Sequence, residues 1–124
     1  MREVLDGDHG IIKNVKENSI IVDHTTASAN IAREYFEICK NRKLHFLDAP
    51  ISGGQAGAEN GKLSIMVGGE TEPFEKVKIV LSSYGKAIEL IGKSGSGQLT
   101  KMINQICIAG LVQGLSEGLS FGIK

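Results

Sequence analysis

Four short apolar runs alternate with stretches of helical spacing along this chain of 124 residues. The runs at 19–22, 43–47, 63–67 and 87–91 each have the length of one buried strand, and polar or glycine residues follow them. Helical patterns separate the first run from the second and the third from the fourth. The order strand, helix, strand, strand, helix, strand predicts an α/β fold with a mainly parallel sheet.

Cap and turn signals set the bounds of the two shorter helices. Either Ser28 or Thr26 can cap the first helix with a side-chain oxygen. Thr71 is the predicted cap of the second helix, and Pro73 lies in its first turn, where a missing N–H costs nothing. Residues 51–61 are rich in glycine and are predicted to form a loop. The apolar faces are predicted to contain Ile31, Tyr35, Ile38 and Cys39 in the first helix, and Phe74, Val77, Val80, Leu81 and Tyr84 in the second.

The last segment, residues 97–124, has one continuous helical pattern that is strongly apolar. Glycines recur in it every four residues, and each interior glycine costs about 0.8–1 kcal/mol relative to alanine unless packing compensates. We therefore expect another helix to approach this stripe closely, and we expect the chain to form a homodimer through residues 97–124. Polar residues interrupt the segment and argue against a membrane span. The glycines are Gly110, Gly114, Gly118 and Gly122, and the polar residues are Asn104, Gln105, Gln113 and Glu117.

Composition excludes several classes of partner. Fourteen basic and 14 acidic residues give a formal net charge of zero, so neither nucleic acid nor an anionic membrane is expected to bind. Cys39 and Cys107 lie far apart in helical patterns and are predicted to be buried, reduced thiols without metal-ligand spacing. The first ten residues contain no apolar leader. The sequence therefore predicts a reducing compartment, either the cytoplasm or another such as the mitochondrial matrix.

Two polar loops follow predicted strands, where parallel sheets bind their ligands. A serine hydroxyl and the open backbone of two glycines at Ser52-Gly53-Gly54 can bind a carboxylate, although an ordinary turn has the same residues. Thr25 and Thr26 can hydrogen-bond a ligand or can simply cap the next helix. The pattern alone leaves both alternatives open for each loop.

Lys101 follows a glycine turn at the start of the last helix. Asn104 and Gln105 lie three and four residues later, and therefore on the same helix face. A lysine placed among apolar residues with two amide neighbours is suited to proton transfer, whereas an ordinary surface lysine extends its charge into water. Spacing alone does not choose between these two interpretations.

Two phosphate-binding motifs are incomplete. Gly92-Lys93-Ser94 matches the end of a P-loop, but Ala87 stands where that motif needs glycine, which disfavours a phosphate-binding NTPase. Thr100 stands where Gly95-x-Gly97 would need a third glycine to complete a dinucleotide fingerprint.

Three motifs, in order and in register, resemble the β-hydroxyacid dehydrogenases, a family that includes 3-hydroxyisobutyrate dehydrogenase and tartronate semialdehyde reductase. They are Asp23-His-Thr25-Thr26, Asp48-Ala-Pro-Ile-Ser52-Gly53-Gly54-Gln-Ala-Gly57-Ala58, and Gly95-Ser-Gly97-Gln-Leu-Thr-Lys101-Met-Ile-Asn104. The similarity extends over essentially the whole chain. It implies an oxidoreductase that transfers a hydride between NAD or NADP and a small 3-hydroxy acid.

The resemblance also implies roles for individual residues and a domain organisation. Lys101 would be the general acid/base, and Thr26 would lie beside the nicotinamide ribose. The substrate carboxylate would bind at Ser52, Gly53 and Gly54, and Asn104 and Gln105 would orient the substrate or the lysine. Residues 1–94 would be the C-terminal half of an NAD(P)-binding Rossmann domain with a mainly parallel sheet. Residues 95–124 would begin the long interdomain helix of a helical C-terminal domain.

The chain departs from the family pattern at several points. Gln105 replaces the more frequent asparagine, as in the tartronate semialdehyde branch, and Ile103 stands where 6-phosphogluconate dehydrogenases have histidine. Ala29 follows Ser28 where proline is frequent. The family's glycine-rich N-terminal half and its C-terminal helical domain lie outside these residues. We therefore expect a fragment that is inactive alone; the alternative is a non-catalytic oligomerisation or binding module on the same fold.

Overall fold

Five strands form one sheet in the computed structural model, which describes residues 1–123. β1 pairs in parallel with β2, and β4 pairs in parallel with β5. β4 runs antiparallel to β2 and β3, but these pairings are short. The predicted α/β fold with a mainly parallel sheet is therefore confirmed. The strands are β1 (Ile20–Asp23), β2 (His45–Asp48), β3 (Ile51–Ser52), β4 (Leu63–Gly68) and β5 (Gly85–Gly92).

Six helices accompany the sheet within the described residues, of which the sequence predicted three. Ser28 is the cap of α3, because its Oγ accepts a hydrogen bond from the N–H of Ile31 at 3.2 Å. The two helices at the amino end were not predicted, since each is too short to show a helical period. The helices are α1 (Arg2–Asp6), α2 (Ile11–Asn14), α3 (Ala29–Asn41), α4 (Gly54–Glu59), α5 (Thr71–Leu81) and α6 (Ser96–Gly122).

The prediction of a loop over residues 51–61 is wrong. After Pro50 the chain continues as β3, which pairs with β4 so that Ile51 lies opposite Ile65. Gly53 then turns the chain with a φ of 133°, a conformation that a residue with a side chain rarely adopts, and α4 follows. The many glycines of residues 51–61 indicated a loop. The strand could not be recognised from these residues alone, because its pairing partner β4 follows them in the chain.

The predicted bounds and apolar face of α5 need correction. Thr71 lies inside the helix; Glu70 is the cap residue, and no side chain makes a capping hydrogen bond. The helix ends at Leu81, so Tyr84 lies beyond it. Val80 is exposed, because it is six residues after Phe74 and therefore about 120° around the helix from that buried side chain.

Apolar side chains of neighbouring strand residues fill both faces of the sheet. Phe46 and Leu47 are adjacent in β2 and point to opposite faces. On one face Phe46 packs with residues of α1, α2 and α3, including Tyr35. On the other face Leu47 packs with residues of α5, β4 and β5. This double layer places the carboxyl end of β2 at the centre of the molecule.

Only the beginning of α6 packs against the sheet. Gly97, Gln98 and Lys101 are buried, whereas nearly all later residues are exposed. Apart from each glycine's chain neighbours and the backbone of its own helix, no atom of the described residues lies within 4 Å of a Cβ built on any of the four glycines predicted to contact another helix. The predicted close approach is therefore not made by the described part of the chain, and Lys124 lies outside the described residues. None of the helices within residues 1–123 combines the length and apolar character that crossing a membrane requires.

The two cysteines lie in opposite environments. Cys39 is buried under α3, as predicted, and burial raises the pKa of its thiol to about 11. Cys107 is exposed on α6, so the prediction that both thiols are buried is wrong for this one. The apolar residues around Cys107 indicated burial, but no described segment covers them.

We expect iodoacetamide at pH 8 to modify Cys107 and to leave Cys39 unmodified in the folded chain. At that pH the thiolate is the reactive form, and about one Cys39 in a thousand is ionised. Mass spectrometry should find one adduct on the native chain and two after unfolding in urea, which serves as the control. Rapid native modification of Cys39 would contradict this packing.

Candidate active site

The carboxylate of Asp48 caps the buried beginning of α6. Its Oδ1 accepts a hydrogen bond from the N–H of Gly95 at 2.7 Å, and its Oδ2 accepts one from the N–H of Gln98 at 3.0 Å. The first N–H groups of a helix have no partner within the helix, and the helix dipole favours negative charge there. β2 ends at Asp48, so this contact joins the centre of the sheet to the long helix.

Burial shapes the electrostatics of this cap. Asp48 is fully buried, and burial raises the pKa of its carboxyl above the usual range. The N–H groups of Gly95 and Gln98 act in the opposite direction, because they stabilise the ionised form. The carboxylate therefore depends on these two donors more than an exposed one would.

Two glycines allow α6 to approach the sheet this closely. A Cβ on Gly68 would lie 2.6 Å from Oδ1 of Asp48, and a Cβ on Gly97 would collide with the carbonyl oxygen of Met66. Gly95 has a φ of 89°, in the left-handed region. The glycine turn before Lys101 is thus required by close packing and by backbone conformation.

Gln98 joins the beginning of α6 to the loop after β1. Its Nε2 donates a hydrogen bond to the carbonyl oxygen of Thr25 at 2.7 Å, and its Oε1 accepts one from the N–H of Ala27 at 2.9 Å. The side chain is fully buried. Gln98 was not predicted, because an isolated glutamine near a glycine turn gives no sign of partners 71 and 73 residues away.

His24 ties the same loop to the β2 side of the site. Its Nδ1 lies 2.6 Å from the carbonyl oxygen of Ala49, which can only accept, so Nδ1 carries the proton. Its Nε2 lies 2.9 Å from the hydroxyl of Tyr84. At the end of β1, Oδ2 of Asp23 is buried without a hydrogen-bond partner among the described residues. The loop thus has a fixed backbone and one unused acceptor.

Lys101 lies one helical turn after Gln98 and is only 9% exposed. Together with Asp48 and Gln98, it makes up the buried polar or charged set within residues 1–123. Its ammonium group forms no ion pair with a described residue. An isolated surface lysine would have its side chain in water, so burial favours the interpretation that Lys101 serves a site.

The amide residues predicted beside Lys101 contact each other. Nδ2 of Asn104 donates a hydrogen bond to Oε1 of Gln105 at 3.3 Å. Asn104 is half-buried and Gln105 is exposed. Neither makes a hydrogen bond with Lys101 in the described structure, so their predicted orienting role stays a prediction.

The predicted carboxylate-binding residues lie where β3 ends and α4 begins. Ser52 is half-buried, and Gly53 and Gly54 are exposed with φ values of 133° and 60°. They follow Asp48 by four to six residues along the chain, but no hydrogen bond joins them to Thr26 or Lys101. Hydrogen bonds thus join Asp48 to Gln98, and Gln98 to the two neighbours of Thr26, whereas Lys101 is linked to them through α6 and Ser52 only through the chain that follows β2.

The mostly parallel sheet with helices between its strands is the architecture of nucleotide-binding α/β domains. The chain belongs to the family of the NAD binding domain of 6-phosphogluconate dehydrogenase, whose model matches residues 1–92. The predicted cofactor class, NAD or NADP, is confirmed by this membership, and so is the resemblance to the hydroxyacid dehydrogenases.

Individual relatives agree with this family. An uncharacterized oxidoreductase of Shewanella frigidimarina is 56% identical over 121 residues, and the 2-hydroxy-3-oxopropionate reductase of Escherichia coli is 40% identical over 124 residues. These matches cover 98% and 100% of the chain, but 42% of each relative. The chain therefore spans about two-fifths of the length of these relatives.

A solved structure shows the same fold. The 3-hydroxyisobutyrate dehydrogenase of Salmonella typhimurium superposes with a TM-score of 0.86 and 28% identity, over 94% of this chain and 41% of the other. Psf3, solved with NADP+ and 2-OPP, superposes with a TM-score of 0.82 and 26% identity, over 93% and 42% of the two chains.

We expect Asp48→Asn to lower the free energy of unfolding by about 1–3 kcal/mol, because its amide N–H₂ would face one of the two buried N–H groups that now bind oxygen. Urea unfolding measures the change. Asp8→Asn is the matched control, since the Asp8 side chain is fully exposed and its ion pair with Lys13 is long, at 3.8 Å. Equal stability of the two variants would contradict the capping role of Asp48.

Proposed function

We propose that this chain is part of an NAD(P)-dependent dehydrogenase of short 3-hydroxy acids, of the 3-hydroxyisobutyrate or tartronate semialdehyde type. The observation that carries the proposal is the burial of Lys101 one turn from a helix terminus that Asp48 and Gln98 fix. The names of the Escherichia coli and Salmonella typhimurium relatives support a small hydroxy acid as substrate.

Each site residue has a distinct task in this proposal. The substrate carboxylate binds the hydroxyl of Ser52 and the backbone N–H groups of Gly53 and Gly54. The N–H groups at the beginning of α4 have no acceptor within that helix. Lys101 accepts the proton of the substrate hydroxyl in the oxidation and returns it in the reduction. The nicotinamide, when bound, accepts or supplies the hydride. Asn104 and Gln105 orient the substrate or Lys101.

The residues after β1 fit the nicotinamide end of such a cofactor. Thr26 is exposed at the carboxyl end of β1 with its backbone held by Gln98, and the neighbouring Oδ2 of Asp23 is a buried acceptor without a partner among the described residues. These residues would hold the ribose. The 124 residues contain no Gly-x-Gly-x-x-Gly motif, so we expect weak cofactor binding by this chain alone.

We also propose a division into two parts, with residues 1–94 in a Rossmann domain and 95–124 in a helical domain. The family match over residues 1–92 supports this boundary. The burial along α6 supports it as well. Gln98 and Lys101 are buried, whereas the later residues are largely exposed and need a different packing partner.

Lys101→Met tests the proton-transfer role, and we expect it to lower kcat for oxidation of a 3-hydroxy acid by about 10²–10⁴-fold in the full-length enzyme that contains these residues. Methionine keeps the apolar stem but cannot accept a proton. Initial rates with 3-hydroxyisobutyrate and tartronate semialdehyde, with NAD(H) and NADP(H), measure the effect. Lys93→Ala is the control, since Lys93 is exposed and outside the proposed site.

Unchanged kcat in Lys101→Met would reject the proposed role of Lys101. The 124-residue chain serves as a second comparison, for which we expect little or no turnover and weak NADH or NADPH binding by fluorescence anisotropy. Steady oxidation by the short chain, lost in Lys101→Met, would show that it contains a complete site.

A second candidate function is oligomerisation, and the exposed apolar surface of α6 favours it. Beyond Lys101 the helix exposes aliphatic and aromatic side chains on every side, including Ile106, Leu111, Leu115 and Phe121. Apolar surface of this extent is unfavourable in water. We propose that two copies of the chain pair through residues 97–124 as a homodimer.

Light scattering coupled to size exclusion should give twice the 13.2 kDa monomer mass. We expect the double variant Leu111→Glu, Leu115→Glu to run as a monomer, because two charges would be buried at the interface. Ile79→Glu is the control, since Ile79 is 80% exposed on α5 and away from α6. A monomeric wild-type chain would reject the homodimer.

A further inference from the structure

One side chain fixes both peptide groups that flank Thr26. The carbonyl of Thr25 belongs to the peptide group before Thr26, and the N–H of Ala27 belongs to the one after it. Gln98 donates to the first at 2.7 Å and accepts from the second at 2.9 Å. Because both peptide groups bind a single planar amide, the φ and ψ of Thr26, which lies between them, are restricted.

The amide of Gln98 is itself held in place. The side chain is fully buried, and its backbone N–H is bound to Oδ2 of Asp48 at 3.0 Å. Rotating the amide away would leave its own N–H₂ group and oxygen without these partners, which is unfavourable in a side chain that water does not reach. The contact therefore has one arrangement rather than several.

Lys101 lies three residues after Gln98, in the next turn of α6 and on the same face. We propose that Gln98 is a positioning residue that holds Thr26 in a fixed place relative to Lys101. This inference rests on the proposed function, because it takes Thr26 as the cofactor contact and Lys101 as the proton acceptor. A rigid link between the two orients the cofactor ribose and the reacting hydroxyl together.

Glutamine is the residue type that this arrangement needs. Methionine has nearly the same length but neither donates nor accepts strongly, and asparagine keeps the amide but is one methylene too short to reach both peptide groups. Gln98→Met and Gln98→Asn therefore separate hydrogen bonding from reach. Gln113→Met is the matched control, because Gln113 is an exposed glutamine on the same helix.

Amide hydrogen exchange tests the link in the 124-residue chain. We expect the N–H of Ala27 to exchange about tenfold faster or more in Gln98→Met and Gln98→Asn, while the N–H of Val67 in the central strand keeps its wild-type rate. Gln113→Met should leave both unchanged. Wild-type exchange of Ala27 in both Gln98 variants would overturn the inference.

Kinetics of the full-length enzyme distinguish positioning from a purely structural role. We expect Gln98→Met to raise the cofactor KM about tenfold and to lower kcat, with the hydroxy-acid KM within about twofold of wild type. Wild-type kinetics despite faster Ala27 exchange would overturn the inference and leave the proposed function intact. If the wild-type enzyme did not oxidise a 3-hydroxy acid, or if this activity survived in Lys101→Met, both the inference and the proposed function would be rejected. That outcome is recognised without any Gln98 variant.

Discussion

A helix that begins inside a protein must find acceptors for its first N–H groups, and in this molecule Asp48 provides them. Gly95 and Gln98 bind its two carboxylate oxygens. The requirement is strong, because these groups lie where water does not reach and an unpaired N–H costs about 1–3 kcal/mol there. This requirement also explains the glycines at positions 68 and 97. A side chain at either position would come too close to the carboxylate of Asp48.

This structural contact also arranges the candidate site. Because β2 ends at Asp48, the beginning of α6 is fixed to the most buried strand of the sheet, and the first two turns of the helix present Gln98 and Lys101 from a rigid base. Gln98 brings the loop after β1 to the same place. Sites built on strands and helices are held more firmly than sites built on loops alone, and here the loop itself is bound to the helix.

Sequence reasoning succeeded where the determining interactions are local. The strand runs and the Ser28 cap of α3 depend on residues within one turn or one strand, and the structure confirms them. It failed at β3, whose partner strand follows a further helix, and at Tyr84, which lies beyond the end of α5 instead of on its apolar face.

The site shows the same limit in a sharper form. Lys101 and Ser52 were predicted through motifs that resemble a family, whereas Gln98 was not predicted and Asp48 was noticed only as part of a motif. The partners of Asp48 lie 47 and 50 residues away along the chain. No local pattern encodes such a pairing, so a lone buried carboxylate and a lone buried amide become meaningful only once the fold brings them together.

The two ends of α6 are stabilised differently, and Lys101 lies at the border between them. Its first turn is fixed by Asp48 and by the sheet. Its later turns expose apolar residues on every side and contain glycines with open space around them, so neither intrinsic propensity nor contacts within residues 1–123 account for their stability. A packing partner must supply it. The lysine is therefore placed by contacts within this chain, whereas the surroundings of Asn104 and Gln105, one turn further, depend on whatever covers the helix.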